Sequence, residues 1–327
     1  MRNRHGKVLS IGELIVDFVS MNEGASLRST PAFKKCAGGA PANVAVGIAR
    51  LGTHSAFIGR VGADPFGRFL KDELRTAGVE ASGIVFDQSH KTRLAFVALG
   101  KDGDRSFEFW EKEPADERLQ STDIPRKILA RTRIVNIGAF LLVRNPARRA
   151  AFDLARRARA CGCDVCFDPN LRLSLWIDRE EARRISSAMI QLATILRLND
   201  TEAAFLTGRR NMSQAASRLR KLGPNLIAVT LGRRGCFFQT AEVEGYAPGF
   251  RVRAVDTTGC GDGFLAGFLD GLVRHNKPPN RLAEKELRGI CRAANAVGAL
   301  VALRHGAIDA MPSRSELLTF LRRRQTA

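Results

Sequence analysis

The segment 256–262, Asp-Thr-Thr-Gly-Cys-Gly-Asp, places small residues and a carboxylate directly at the start of a predicted helix. Small residues let a ligand approach the backbone. The first N–H groups of a helix have no internal partner, so they favour an anion. An Asp such as Asp262 in the first helical turn often only balances the helix dipole. Beside an anion site it also suits phosphoryl transfer, because it can accept the proton of an attacking hydroxyl while main-chain amides hold the phosphate.

The elements around this segment follow from residue spacing. Residues 252–255 are predicted to form a strand, and a helix is predicted to begin near Gly261. The apolar residues at helical spacing are Phe264, Leu265, Phe268, Leu269 and Leu272. Gly263, Gly267 and Gly271 stand four residues apart, and a glycine costs about 1 kcal/mol in a helix interior. Three glycines on one ridge predict that another backbone packs closely there.

A second glycine-rich segment, 37–43, reads Ala-Gly-Gly-Ala-Pro-Ala-Asn. Gly38 and Gly39 predict a tight loop, and the proline suits the first position of a helix that carries Asn43 and ends at Gly52. On its own, a pair of glycines is weak support for a binding loop.

Near the start of the chain, residues 7–15 have the pattern of a buried strand, which is predicted to end at Asp17. Ligands of open α/β sheets bind beyond the carboxyl ends of the strands. Asp17 is therefore a candidate to hold a polar ligand, and the alternative is an ordinary Asp in a surface turn.

From residue 134 onward, apolar strands alternate with helices. The predicted strands are 134–137, 165–167, 194–198 and 226–231, and the predicted helices between them are 146–160 and 179–192. This alternation predicts a parallel sheet with helices on both faces. Polar residues follow the strand ends: Asn170 and Arg172 after one, and Asn199 and Glu202 after the next. Arginine can bind phosphate oxygens with two N–H groups, whereas an acidic residue that starts a helix is ordinarily a cap.

Residues 92–99 and 106–110 predict two strands around a turn at 101–104, and with 29–36 they predict a small sheet apart from the main body. Phe107, Phe109 and Trp110 either face a ligand or pack in that sheet. Arg105 is a weaker candidate for contact with a ligand.

Composition limits the class of protein. The 327 residues are 45% hydrophobic, which fits a globular protein with a large core. The apolar runs are far shorter than the roughly 18 residues of a membrane span, and no apolar signal segment precedes the first strand. Seven cysteines in an enzyme-like chain indicate reduced thiols and a cytoplasmic setting. The cluster Cys161, Cys163 and Cys166 resembles a metal site, but three local ligands favour packing instead.

The formal net charge of +19 raises the hypothesis of nucleic-acid binding. The arginines, however, are scattered through predicted helices, and only 7% of the residues are aromatic. This distribution favours a solvated basic surface, which would attract anionic nucleotides.

Together these motifs resemble the ribokinase-type (PfkB) carbohydrate kinases. The resemblance covers about residues 7 to 320 and includes Asp-Thr-Thr-Gly-Cys-Gly-Asp, Gly-Gly-Ala-Pro-Ala-Asn-Val-Ala, Asn-Asp-Thr-Glu and Thr-Leu-Gly-Arg-Arg-Gly. The chain departs from the family pattern at Cys260 and Gly263, where the family has alanine; both replacements are small. The resemblance implies one three-layer α/β/α ribokinase-like domain over 1–327, with a mostly parallel sheet. It also implies a discontinuous β-sheet lid formed by roughly 13–36 and 91–113.

The resemblance also implies roles for individual residues. Asp262 would be the catalytic base, and the amides of Gly259, Cys260 and Gly261, with Arg172, would stabilise the phosphoryl group. The residues expected to bind the sugar are Asp17, Gly38, Gly39, Asn43, Arg105, Phe107 and Asn170.

ATP and Mg²⁺ are the implied co-substrate and cofactor. The residues expected near the nucleotide are Asn199, Glu202, Thr230, Gly232, Gly235 and Asn295, with Glu202 acting on Mg²⁺ through water. A K⁺ ion behind the anion hole, bound by the segment that includes Asp256 and Thr258, is a lesser expectation. The family also implies a homodimer formed through the lid.

The implied reaction is ATP-dependent phosphorylation of a sugar hydroxyl. Segments such as Gly-Glu-Leu-Ile-Val-Asp-Phe and Asp-Pro-Asn-Leu-Arg-Leu-Ser-Leu-Trp look most like fructokinases, although these usually have proline where Ser174 stands. The alternatives are 2-keto-3-deoxygluconate kinase, 5-dehydro-2-deoxygluconokinase and ribokinase. A hypothesis of a different class is a kinase-like scaffold without catalysis that binds nucleic acid.

Overall fold

The computed structural model describes residues 6–22, 24–99 and 105–324, and for residues 99 and 105–107 it describes the backbone only. The strands are β1 (Lys7–Ile11), β2 (Ile15–Ser20), β3 (Phe33–Gly38), β4 (Ser55–Gly62), β5 (Glu80–Asp87), β6 (Leu94–Leu99), β7 (Arg105–Phe109), β8 (Thr132–Gly138), β9 (Asp164–Asp168), β10 (Ile195–Asn199), β11 (Leu226–Thr230), β12 (Gly235–Gln239) and β13 (Glu244–Pro248). The helices are α1 (Ala40–Arg50), α2 (Pro65–Thr76), α3 (Ala147–Ala160), α4 (Arg179–Ile190), α5 (Asp200–Thr207), α6 (Met212–Arg220), α7 (Cys260–His275), α8 (Glu284–Val301) and α9 (Arg314–Arg323).

The main sheet has nine strands in the order β13-β12-β11-β10-β9-β8-β1-β4-β5, and only β12 and β13 run antiparallel to their neighbours. Successive residues of a strand point to opposite faces. In β1, Leu9 and Ile11 pack in the core that contains α3 and α6, whereas Val8 packs in the core that contains α7 and α8. The sheet is therefore covered by helices on both faces, which confirms the predicted three-layer, mostly parallel fold.

A separate sheet of four strands has the order β3-β2-β6-β7, as the sequence predicted. The predicted strand over residues 7–15 begins at Lys7 as expected but is shorter than predicted, because the chain leaves the main sheet after Ile11. At Gly12 an added Cβ would lie 2.3 Å from Cγ of Pro41, so the chain passes tightly under the start of α1. Asp17 consequently lies in the middle of β2, opposite Cys36, and not beyond the end of a strand of the main sheet.

The predicted strand over residues 252–255 is wrong. The amides of Val255 and Asp256 donate to the carbonyl oxygen of Ala302, at 2.7 and 3.3 Å, so this segment is held by the chain after α8 and not by a strand. Gly259 has φ 72°, a left-handed conformation that favours glycine, and α7 begins at the next residue.

The prediction that a backbone packs against the glycine ridge of α7 is confirmed. A Cβ on Gly263 would lie 2.8 Å from Val301, and a Cβ on Gly267 would lie 3.0 Å from the Cα of Ala294. The bare ridge thus lets α8 lie directly against α7. This contact fixes α7, whose first turn carries Asp262.

Two of the three clustered cysteines pack in the core as predicted, and the third does not. Cys163 and Cys166 are buried, and Cys161 is exposed just after α3. Within the described ranges, no group of three or more histidine, cysteine or carboxylate side chains is arranged to hold a metal ion. Among the same residues, no helix is long and apolar enough to cross a membrane.

Candidate active site

A cavity of ≈ 280 Å³ opens at the carboxyl ends of the main-sheet strands, between the start of α1, the start of α7 and the four-stranded sheet. The predicted site residues that line it are Asp17, Gly39, Asn43, Asn170, Arg172, Asn199, Thr258, Gly259, Gly261 and Asp262. These residues come from distant parts of the sequence. The fold therefore brings one large set of predicted residues to one place.

Asp262 is buried in this cavity, in the first turn of α7. Asn43 donates a hydrogen bond from Nδ2 to Oδ2 of Asp262 at 2.7 Å. Burial raises the pKa of Asp262 to about 6; Asp168 acts in the same direction, while Asn43, Arg197 and Arg172 act against it. A carboxylate with this pKa is ionised at neutral pH but is a better proton acceptor than an ordinary Asp.

The helix start beside Asp262 has the form of an anion site. The amides of the first turn of α7 lack helical partners at its start, and Gly259 and Gly261 line the cavity there. A Cβ on Gly261 would lie 2.8 Å from an Nη atom of Arg197, so the glycine leaves room for the guanidinium at this helix start. The positive end of the helix and a guanidinium thus face the same space.

Arg197 is a site residue that the sequence reasoning missed. It is buried in β10, pairs with Asp168 at 3.0 Å and donates to Oγ1 of Thr230 at 3.1 Å. Although burial opposes the charged form, Asp168 and Glu202 raise the pKa of Arg197. The signal available in the sequence was an arginine within an otherwise apolar strand, where a charge has to find a partner.

Asn199 and Glu202 form a capping box at the start of α5. Glu202 accepts from the amide of Asn199 at 2.9 Å with Oε2 and from the amide of Leu171 at 2.7 Å with Oε1. Both carboxylate oxygens therefore already hold main-chain groups. Glu202 does not line the cavity that Asn199 lines, so its geometry fits the expected role through water and not direct ligation of a metal.

Of the residues expected around the nucleotide, Asn199 lines the cavity, whereas Thr230, Gly232, Gly235 and Asn295 do not. Thr230 ends β11, and the turn from Gly232 to Gly235 joins β11 to β12. Gly235 has φ 117°, and a Cβ there would lie 2.2 Å from the carbonyl oxygen of Ala247. Asn295 donates to the carbonyl oxygen of Ala247 at 3.0 Å, so it ties α8 to β13.

The opposite end of the cavity lies under the four-stranded sheet. A Cβ on Gly38 would lie 2.1 Å from a carboxylate oxygen of Asp17, so the first glycine allows that aspartate its position. Gly39 has φ 107° and leads into α1. On the far wall, Arg172 donates to Oδ1 of Asn170 at 2.8 Å.

Three further polar or aromatic residues that the sequence reasoning did not select line this end: Glu13, Asn136 and Phe140. Glu13 follows a glycine after β1, which is a weak signal without the tertiary structure. The side chains of Arg105 and Phe107 lie outside the described part of the chain, so their predicted contacts stay predictions.

Asp256 holds the turn before α7. Its Oδ1 accepts from the amide and the hydroxyl of Thr258, at 2.8 and 2.6 Å, and its Oδ2 accepts from the amide of Gly306 at 3.0 Å. These bonds place Thr258 at the cavity. Cys260, the first residue of α7, packs partly buried in the core around α1 and α2.

The fold is ribokinase-like, and its cavity joins a buried carboxylate at a helix N-terminus to main-chain amides and an arginine, an arrangement that suits phosphoryl transfer. The chain belongs to the pfkB family of carbohydrate kinases, whose family model matches residues 5–314. It is a phosphotransferase with an alcohol group as acceptor.

The relatives agree over the whole length. Probable fructokinase-7 of Arabidopsis thaliana is 41% identical over 315 residues, which are 95% of this chain and 91% of the relative. The structure of a fructokinase of Xylella fastidiosa with bound ATP superposes with a TM-score of 0.88 at 32% identity, over 98% of this chain and 99% of the other. A double-mutant fructokinase of Vibrio cholerae O395, with fructose, ADP and a potassium ion, has a TM-score of 0.87 at 32% identity, over 97% and 98% of the two chains.

Proposed function

We propose that this chain is an ATP-dependent fructokinase that transfers the γ-phosphoryl group to a hydroxyl of fructose. The observation that carries the choice of fructose is the whole-length likeness to fructokinases, in sequence and in structure. The cavity supports the same reaction, because it joins a buried base to an anion site. It is also small enough to enclose a sugar.

Asp262 is proposed to start the chemistry. Its carboxylate accepts the proton of the sugar hydroxyl while the oxygen attacks the γ-phosphorus, and the bond to the bridging oxygen breaks, which leaves ADP. Asn43 holds one carboxylate oxygen of Asp262 through Nδ2. The other oxygen is then directed to the sugar.

The transferring phosphoryl group is proposed to be held by the amides from Gly259 to Asp262 at the start of α7, with Arg172 at the cavity wall. These donors are positioned before the reaction, so stabilising the developing charge requires little reorganisation. Arg197 stands behind Gly261 and adds positive potential from within the fold.

The segment around Asn199 is proposed to organise Mg²⁺ and its waters beside the phosphates. Glu202 fits this role only through water, because its oxygens already accept two amides. When bound, Mg²⁺ would neutralise charge on the nucleotide phosphates. For K⁺, the turn held by Asp256 offers main-chain carbonyl oxygens. The Vibrio relative holds a potassium ion, and a comparison of turnover in potassium and tetramethylammonium salts tests this site.

The sugar pocket is proposed to favour a neutral acceptor. Asp17 and Asp262 face its sugar end, so an acid such as 2-keto-3-deoxygluconate would bring a like charge beside these two acidic groups. The test is ADP release with Mg²⁺-ATP and separate acceptors: fructose, ribose, glucose, 2-keto-3-deoxygluconate, 5-dehydro-2-deoxygluconate and adenosine. We expect the highest kcat/KM with fructose. A higher value for another acceptor would replace fructose, and no ADP release with any acceptor, together with salt-sensitive binding of DNA or RNA, would favour the scaffold hypothesis.

The four-stranded sheet is proposed to close over the sugar and to form a homodimer interface, in a cytoplasmic enzyme. Phe96 in β6 contacts the rings of Phe18, Phe33 and Trp110, and Trp110 is 67% exposed. Light scattering after gel filtration tests the dimer: Trp110→Glu is expected to shift the mass towards the monomer, and an unchanged mass would place any interface elsewhere.

A further inference from the structure

Glu13 lies between β1 and β2, where the chain passes from the main sheet into the small sheet. Its side chain is buried, with a residue exposure of 5%, and it lines the cavity. Its Oε1 accepts from the main-chain amide of Ala40 at 2.9 Å, and within the described structure its Oε2 has no hydrogen-bond partner. This buried carboxyl has no part in the mechanism described above.

Ala40 is the first residue of α1, and the residue before it, Gly39, is a glycine that cannot cap with a side chain. Glu13 therefore supplies from another element the acceptor that a cap residue usually supplies. The contact is close on the main-chain side as well, because a Cβ on Gly39 would lie 2.4 Å from the carbonyl oxygen of Glu13. The start of α1 thus packs against both the side chain and the main chain of Glu13.

The position of α1 matters to Asp262 through Asn43. The amide of Asn43 donates to the carbonyl oxygen of Gly39 at 2.9 Å, so this residue belongs to the first turn that Glu13 holds. Its side chain then donates to Asp262 at 2.7 Å. Contacts therefore connect Glu13, just before the first strand of the small sheet, through the first turn of α1 to Asp262.

We propose that Glu13 is a positioning residue: its carboxyl holds the first turn of α1, and through Asn43 it sets the orientation and the proton affinity of Asp262. The proposal rests on the role of Asp262 as the base. It adds a link between the segment that enters the small sheet and the group that accepts the proton.

The surrounding charges support this role. The groups that face Glu13 are the amide of Ala40, Asp262 on α7, and Asp116, which pairs with Arg93 at 3.1 Å. Burial raises the pKa of Glu13 to about 8, and the two aspartates add to the effect. At neutral pH Glu13 is therefore mainly protonated, and Oε1 still accepts from Ala40 as a carbonyl oxygen.

Asp262 is faced by groups from other elements: Asn43 on α1, Asp168 at the end of β9, Arg172 on the loop after β9, and Arg197 on β10. Of these, Asn43 is the group that Glu13 controls. A hydrogen bond to the charged form lowers the pKa of a carboxyl. Loosening Asn43 is therefore expected to move the pKa of Asp262 upward.

The test is the pH profile of kcat/KM for fructose between about pH 5 and about pH 7.5, where Glu13 itself stays mainly protonated. In Glu13→Ala we expect the acidic limb to move upward by roughly one unit, so that kcat/KM at pH 6 falls by about fivefold. Glu13→Gln keeps an uncharged acceptor for Ala40 and is expected to keep the limb of the unmodified enzyme.

Three further variants separate positioning from simple stabilisation. Glu316 also accepts a main-chain amide at a helix start, from Ser313 at 2.7 Å, but it lies on α9. Glu316→Ala is the matched control and is expected to leave the limb in place. In Asn43→Ala the limb is expected to move as in Glu13→Ala, and the double variant is expected to move no further than Asn43→Ala alone.

The proposal is overturned if Glu13→Ala lowers stability but leaves the acidic limb of the pH profile where Glu316→Ala leaves it. It is also overturned if the limb of the double variant moves by the sum of the shifts of Glu13→Ala and Asn43→Ala. Should Glu13→Ala not fold, Glu13→Asp, which withdraws the carboxyl from Ala40 by one methylene, takes its place. If Asp262→Asn keeps full turnover, the base assignment itself fails. An inactive Asp262→Asn with an unmoved limb in Glu13→Ala refutes only the positioning role.

Discussion

The two ends of the cavity differ in the charge of the groups that face it: an arginine at one end and carboxyl groups at the other. At the phosphate end, Arg197 pairs with Asp168 and faces the start of α7, so positive potential is built into the fold. At the sugar end, Glu13 and Asp17 face the same space as Asp262. The first arrangement suits an anion that must be held. The second suits a neutral polyhydroxy acceptor, and it leaves carboxyl groups with raised pKa values.

Asp262 stands at the boundary, so Asp262→Asn is expected to produce the largest effect. The two ends stay intact, and only proton acceptance is lost. We expect kcat to fall by about 10²- to 10⁴-fold, with smaller changes in KM for ATP and sugar. The measurement is steady-state ADP release.

Asp153→Asn is the control, because Asp153 lies on α3 and pairs with Arg157 on the surface. It is expected to keep normal turnover. Near-normal kcat in Asp262→Asn would show that another group accepts the proton.

Arg197→Met tests the phosphate end. Removing one partner of a buried ion pair leaves Asp168 uncompensated, and we expect the free energy of unfolding to fall by about 3–5 kcal/mol. Urea denaturation measures the change. Arg75→Met removes an arginine whose partner Asp72 is 3.8 Å away and exposed, and a loss below about 1 kcal/mol is expected for it. Equal losses in the two variants would mean that the buried pair contributes little.

The pH dependence of stability tests the claim that carboxyl groups at the sugar end carry raised pKa values. The pKa of Asp262 is about 6 when folded and 3.8 otherwise. Its contribution to stability is therefore full below about pH 4 and is lost as the pH rises through about 6. We expect Asp262→Asn to gain about 1–3 kcal/mol over the unmodified enzyme between pH 4 and pH 8. If the difference in unfolding free energy between Asp262→Asn and the unmodified enzyme is the same at pH 4 and at pH 8, the pKa of Asp262 is not raised.

The smallest effect is expected for Cys260→Ala. The anion site uses main-chain amides, and the family has alanine at this position, so kcat is expected to change by less than about twofold. The thiol at a helix start is the expected target of inactivation by alkylation. If Cys260→Ala keeps its activity in an alkylating reagent that inactivates the unmodified enzyme, Cys260 is the target. If both proteins are inactivated equally, the target is another cysteine.

Much of the fold could be predicted because it follows from local patterns. The strands after residue 130 are short apolar runs between helices with clear caps. The ridge of Gly263, Gly267 and Gly271 predicts that another helix packs closely there. The first strand is shorter than predicted, and the strand over 252–255 is absent. Both segments have good strand composition, but the chain leaves the main sheet after Ile11, where it passes close to Pro41, and the carbonyl oxygen of Ala302 accepts the amides of Val255 and Asp256.

The site was predicted less completely than the fold. Residues in motifs, such as Asn43 and Asp262, were recognised because their neighbours in sequence are unusual. Glu13 and Arg197 were not, because each depends on a partner far along the chain: Ala40 for the first and Asp168 for the second.

By itself the sequence determined the glycine turns, the helix starts and the alternation of strands and helices, because these depend on the backbone preferences and spacing of nearby residues. It also determined which residue types were available for chemistry. Only the tertiary structure decided which carboxyls are buried together, where α1 is held and how far the pKa of Asp262 rises. Burial and charge pairing join residues that are distant in sequence, and a carboxyl's proton affinity depends on that assembled surrounding.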